Sequence, residues 1–169
     1  AIATNREDLC AQIIPLIYCG MRDKDCSMGA SLNYRMSTLT AASLLVKEQS
    51  LRSIFERRRQ IARIYDQKLA GVVTTPACAT DRFDIYYGYA IRVPEREKLI
   101  HYLIEQGIEC KIQHRPLICD QMEYRECRAD KKNADKIIEE ILSIPNHENL
   151  TSEEIEYIAN RIRRFYGKD

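Results

Sequence analysis

The chain has 169 residues, 45% hydrophobic and 30% charged, with 26 basic and 25 acidic side chains and a formal net charge of +1. That balance gives no basic footprint for nucleic acid and no acidic disordered arm, yet it supplies a real core for one domain, or one domain with an appendage. No apolar run approaches membrane-spanning length and no secretory leader is read, so the expectation is a cytoplasmic protein without a membrane partner.

Residues 1–5 read as the end of a short strand and a turn. Asn5 is the candidate cap of a helix over "REDLCAQII" that stops at Pro15. "CGMRDKDCSMGAS" is polar with two glycines and reads as a loop. Asn33, Tyr34 and Arg35 stand directly before a helix start, with Ser37 as its cap and Leu39, Ala42 and Leu45 at helical spacing. No Pro or Gly interrupts the chain from Ser37 to about Leu69. Leu45, Leu51, Ile54, Phe55, Ile61, Ala62, Tyr65 and Leu69 recur at spacings that predict one long helix. The charge cluster "FERRRQIAR" reads as the solvated side of that helix rather than a nucleic-acid patch, because glutamates flank it.

"GVVTTPACATDRF" is a break, and "DIYYGYAIRV" reads as a strand. Pro94 suits the first turn of the helix "EREKLIHYLIEQ", which ends with Gly107 at its C-terminal cap. "IECKIQ" reads as a second strand, and "HRPLICDQMEYRECRADKK" as a long loop of the kind that carries function. "NADKIIEEILS" follows as a helix, "IPN" as a short edge strand, and Thr151 with Glu154 as a capping box for "SEEIEYIANRIRRF". The sum is an α/β chain, a small sheet with helices packed against it.

Cys10, Cys19, Cys26, Cys78, Cys110, Cys119 and Cys127 form no C-x-x-C pair, and His101, His114 and His147 are scattered. They read as reduced thiols packed like small hydrophobes, not as a metal site or a disulfide framework. An amide, a guanidinium fork and a helix start together suit a phosphate, which makes Asn33 and Arg35 candidate anion ligands. The alternative is that Asn33 caps a turn and Arg35 pairs with a local carboxylate.

Five stretches resemble the C-terminal half of the DegT/StrS family of sugar aminotransferases, in the family's order. They are "AIATNREDL", "NYRMSTLTAA", "RRRQIARIYDQKLAGV", "YYGYAIRVPEREKLIHYLIEQGIECKIQH" and "ILSIPNHENLTSEEIEYI". The family consists of pyridoxal 5'-phosphate (PLP) enzymes of the aspartate-aminotransferase fold, fold type I. The resemblance implies three parts: a remnant of the large PLP-binding domain over 1–36, a long connecting helix at the subunit interface over 37–70, and a C-terminal small domain over 71–169. It implies a homodimer acting on a nucleotide-linked keto-sugar, with an amino acid such as glutamate as amino donor. By the same resemblance Asn33 reaches the PLP phosphate bound by the partner subunit, and Arg35 lies beside it near an anionic substrate. Gln113 and His114 fall where the family lines the nucleotide-sugar pocket.

The resemblance also implies what is missing. The family's Schiff-base lysine and the acid beside the pyridine nitrogen belong to the N-terminal half, and none of the nine lysines here sits in a matching motif. The chain therefore carries no catalytic residue of its own and is expected to be inactive alone. It is also expected to expose apolar surface on residues 1–36 and on the long helix. There are departures as well. Ile17, Tyr18, Cys19 and Gly20 stand where the family often has R-x-H-G, Ser31 where it usually has Gly, and Tyr87 and Cys119 where it has His. They leave the substrate open, and with it the reading of a non-catalytic dimerisation or binding module or truncated fragment. Because the family's lysine position is not among these residues, a PLP-dependent sugar dehydratase of the same family also stays open.

Overall fold

A computed structural model describes residues 2–23, 26, 27, 29, 31–79, 81–113, 115–124, 126 and 130–168. These form two compact units, residues 1–50 and 51–169.

In the first unit, the cap position of α1 (Glu7–Ile17) is Arg6, not Asn5. The Arg6 N–H is taken by Thr4 Oγ1 at 3.1 Å, and the Arg6 guanidinium pairs with Asp8. The helix runs through Pro15 instead of stopping there. A proline so near the end removes one amide donor from a helix that closes two residues later, with Tyr18 N–H donating to Pro15 O at 3.0 Å. The polar stretch read as a loop holds a small antiparallel pair, β1 (Met21–Asp23) with β2 (Cys26–Ser27).

Ser37 caps the long helix α2 (Thr38–Leu69) as expected, its Oγ accepting the Thr40 N–H at 3.1 Å. The apolar periodicity has two different outcomes along it. Ile61, Ala62, Tyr65 and Leu69 are fully buried, whereas Leu39 is 80% exposed and Leu45 64% exposed. Ile2, Ile14, Leu16, Tyr18, Leu32, Tyr34, Met36 and Val46 are also exposed, so the expected apolar surface on residues 1–36 and on this helix is present.

The second unit has the expected helices around a narrow sheet. β3 (Tyr89–Arg92) pairs antiparallel with β4 (Ile141–Ile144), Tyr89 opposite Ile144 and Ile91 opposite Leu142. Alternation sends these four side chains to one face, where they meet Leu99 and Leu103 of α3 (Arg96–Glu105) and Ile155, Ile158, Ala159 and Ile162 of α5 (Ser152–Phe165). The predicted strand 84–93 is shorter at its start because Tyr86 is left-handed (φ 45°), which takes the backbone before Tyr89 out of the ladder. "IECKIQ" makes only a one-residue bridge, Lys111 with Ser143, although both of its hydrogen bonds form, at 3.0 and 2.9 Å. That bridge puts β4 between β3 and Lys111, so the "IPN" region ends an inner strand and is not an edge. α4 (Lys132–Glu140) leads straight into β4.

Pro94 lies before the N-cap of α3, not within its first turn. Glu95 holds the cap position in a left-handed conformation (φ 51°), and its carbonyl takes the Lys98 and Leu99 N–H groups. Gly107 closes the helix as expected. Its φ of 74° lets its N–H reach Ile104 O and the Ile108 N–H reach Leu103 O, a Schellman motif. The Thr151–Glu154 capping box is fully formed at the start of α5.

Of the four arginines of "FERRRQIAR", Arg57, Arg58 and Arg59 are not part of a solvated face, while Arg63, with Glu56 and Gln60, is exposed as expected. Arg57 Nη2 donates to Leu150 O at 2.6 Å, and Arg58 Nη2 meets Glu148 Oε2 at 3.0 Å. Arg59 Nη1 donates to Asp84 O at 3.0 Å while its guanidinium lies 4.3 Å over the Phe83 ring. All three are half-buried, because each reaches a loop of the second unit and covers its stem in doing so. Cys10, Cys19, Cys26 and Cys78 are exposed, with only Cys110 and Cys119 half-buried, so most of these thiols are not the core filler the sequence led us to expect. Cys127 lies outside the described residues.

Candidate functional site

Asn33 and Arg35 sit together in the first unit. Tyr18 pairs with Asn33 as an isolated antiparallel bridge, and the Tyr34 N–H donates to Ile17 O at 3.2 Å. Ser31 donates its hydroxyl to Leu16 O at 2.8 Å. These contacts hold residues 31–35 against the end of α1. Asn33 Oδ1 accepts the Arg35 N–H at 3.4 Å, a turn cap that leaves the Nδ2 donor without a partner among the described residues. Arg35 has no carboxylate partner among the described residues. Its guanidinium instead lies 5.1 Å from the Tyr18 ring centroid, a cation–π contact that keeps the fork's donors unspent. Both side chains are exposed, just ahead of the α2 N-terminus.

Gln113 belongs to the second unit, half-buried in a cleft of about 540 Å³. Tyr87 and Gly88 form one side, Lys111 and Gln113 another, and Pro145, Asn146 and His147 the end of β4. His114 lies outside the described residues. Gly88 permits the approach: a Cβ there would meet Gln113 Nε2 at 3.2 Å. Tyr87 is 80% exposed at the rim. Burial pushes the Cys110 thiol up, so this cleft cysteine favours its neutral form.

Beneath the cleft, tyrosines anchor the frame. Tyr65 donates its hydroxyl to Pro145 O at 2.9 Å, and Tyr89 donates to Asp66 Oδ1 at 2.5 Å. The Tyr65 and Tyr89 rings lie 5.1 Å apart. Burial, with the Cys78 thiol as the next cause, pushes the Tyr86 hydroxyl up to about 12, so it stays protonated. Asn146 is a participant that sequence reasoning missed. It is 8% exposed, and its Nδ2 donates to Tyr86 O at 3.0 Å. Its Oδ1 is the buried side-chain acceptor without a partner among the described residues. No periodicity marks it; the only signal was a polar residue between Pro145 and His147 at a strand end. No cluster of three or more metal-ligating side chains occurs among the described residues, and no helix there is long and apolar enough to cross a membrane.

Comparison with known proteins gives this geometry a frame. A 28% identical relative over 98% of this chain is the "Pleiotropic regulatory protein" of Geobacillus stearothermophilus, of which 46% is covered. Another, also 28% identical over 98% of this chain and 46% of its own length, is the dTDP-3-amino-3,6-dideoxy-alpha-D-galactopyranose transaminase of Aneurinibacillus thermoaerophilus. The chain thus spans about half the length of the curated relatives it matches. Its fold superposes with a TM-score of 0.91 on a DegT DnrJ EryC1 StrS aminotransferase from Brucella abortus, at 27% identity, over 98% of this chain and 45% of that one. The sequence profile of the DegT/DnrJ/EryC1/StrS aminotransferase family matches residues 1–163. The chain belongs to the DegT/DnrJ/EryC1/StrS aminotransferase family.

Proposed function

We propose that this chain supplies the C-terminal half of a PLP-dependent aminotransferase that passes an amino group from an amino acid to a nucleotide-linked keto-sugar. In this reading residues 1–36 belong to a large domain, 37–70 to the connecting helix and 71–169 to the small domain. The observation that carries it is the pairing of Asn33 and Arg35 at a helix start, both exposed and both with donors unspent, in a chain of this family.

The residues present fit a phosphate-bearing cofactor and substrate. Asn33 Nδ2 would donate to the PLP phosphate of the partner subunit, while Oδ1 fixes the amide orientation through Arg35 N–H. Arg35, steered by the Tyr18 ring, would bind a second anion such as a substrate diphosphate. Gln113 would orient the sugar nucleotide from its cleft, with His114 beside it in sequence. PLP, when bound to the complete enzyme, supplies the electron sink for moving the amino group. The Schiff-base lysine would come from sequence outside these 169 residues. A homodimer is the assembly this reading requires, and the exposed apolar side chains of the first unit support association.

The experiment is an amino-transfer assay on the assembled preparation containing this chain and a lysine-bearing companion segment. Conversion of glutamate to 2-oxoglutarate that requires a keto-sugar nucleotide supports the reading. Loss of water from the sugar without amino transfer would favour the dehydratase, and association without turnover the non-catalytic module.

A further inference from the structure

We propose that Asn146 is a positioning residue for Gln113, acting through the Tyr86–Gly88 segment that it tethers. The functional weight of this inference rests on the assignment of Gln113 to the substrate cleft.

Asn146 follows β4 by two residues, and its neighbour Pro145 is pinned by the Tyr65 hydroxyl at 2.9 Å. From that fixed point Asn146 Nδ2 reaches across to Tyr86 O at 3.0 Å. Tyr86 is left-handed (φ 45°), a conformation costly for an aromatic residue and kept only where surroundings enforce it. Its carbonyl is the atom the tether holds. Two residues on, Gly88 lies against Gln113, close enough that an added Cβ would come within 3.2 Å of Nε2. The 86–88 backbone therefore bounds the space that the Gln113 amide occupies, and a shift of it changes that space.

The unpartnered Oδ1 argues for the same role. At a position 92% buried, an apolar side chain of similar size would avoid burying an acceptor without a donor. Stability alone does not explain an asparagine here, whereas a tether that needs an N–H donor at that spot does.

The test uses the 169-residue chain with nitrogen-15 in its glutamine side chains. The Gln113 amide resonance is assigned by its loss in Gln113→Ala. Asn146→Leu is expected to shift that resonance while leaving Gln12 and Gln49 in place and the Tm within about 5 °C. Asn146→Asp keeps the shape but lacks the N–H, so it is expected to move the same resonance and decides the matter should Asn146→Leu not fold. Gly88→Ala is expected to shift Gln113 with the tether intact. An unmoved Gln113 resonance in a folded Asn146 variant overturns the inference, as does a Tm loss in Asn146→Asp accompanied by equal shifts at every glutamine. The underlying assignment fails separately, if Gln113→Ala leaves nucleotide-sugar turnover by the assembled enzyme unchanged.

Discussion

Arg58 Nη2 lies 3.0 Å from Glu148 Oε2, joining the middle of α2 to the loop between β4 and α5 across ninety residues of sequence. Glu148 is held below the usual glutamate range, first by a backbone N–H and then by the Arg58 guanidinium. A lowered carboxyl pKa stabilises the fold above the unfolded-state value, and that contribution is lost as pH falls through the folded-state value. Thermal stability should therefore decline as pH drops below the ordinary glutamate range. Glu148→Gln should flatten that decline, which melting curves across the acid range will reveal.

The helical stripe of α2 divides by what covers it. Ile155→Ala, in the same core cluster as the buried end of that stripe, should destabilise the second unit by about 3 kcal/mol, because a cavity adds to the lost transfer energy. Leu45→Ala should cost no more than about 0.5 kcal/mol in the same unfolding experiment. Replacing Leu39 and Val46 by serine should instead weaken self-association or association with the companion segment, measurable by sedimentation.

The capping box at the start of α5 should be separable from the core. Thr151→Ala removes the acceptor for the Glu154 N–H and should cost about 1 kcal/mol, whereas Thr151→Ser should restore most of it. Chemical denaturation of the three proteins gives the comparison directly.

Arg35 carries the sharpest prediction for substrate. Arg35→Lys keeps the charge but loses the fork and weakens the contact with the Tyr18 ring, so KM for the nucleotide sugar should rise about tenfold with kcat less affected. Tyr18→Leu should move KM in the same direction, since it frees the guanidinium to wander.

Local chemistry was legible where one residue settles it. Ser37 with an uninterrupted run to Leu69, the Thr151–Glu154 pair and Gly107 each state a helix boundary in a few letters, and each is found there. Contacts made at a distance were not legible. Three consecutive arginines look solvated in sequence, because nothing local says that Leu150 O, Glu148 and Asp84 O will arrive to receive them. Lys111 joins the sheet through a single bridge, too short a pairing for an alternation pattern to announce. Of the candidate site, Asn33 and Arg35 were legible as an amide and a guanidinium ahead of a helix start, and Gln113 only through the family resemblance. The Tyr18 ring under Arg35 and the Asn146 tether were not, because both are defined by the fold and not by spacing.

The most direct test of the central claim is an intact-mass spectrum of the purified native preparation after borohydride reduction, which locks a PLP–lysine imine in place. The account predicts this chain without added mass, alongside or continuous with a lysine-bearing segment that carries reduced PLP. Reduced PLP attached to one of the nine lysines of residues 1–169, or no PLP anywhere in the active assembly, would contradict it.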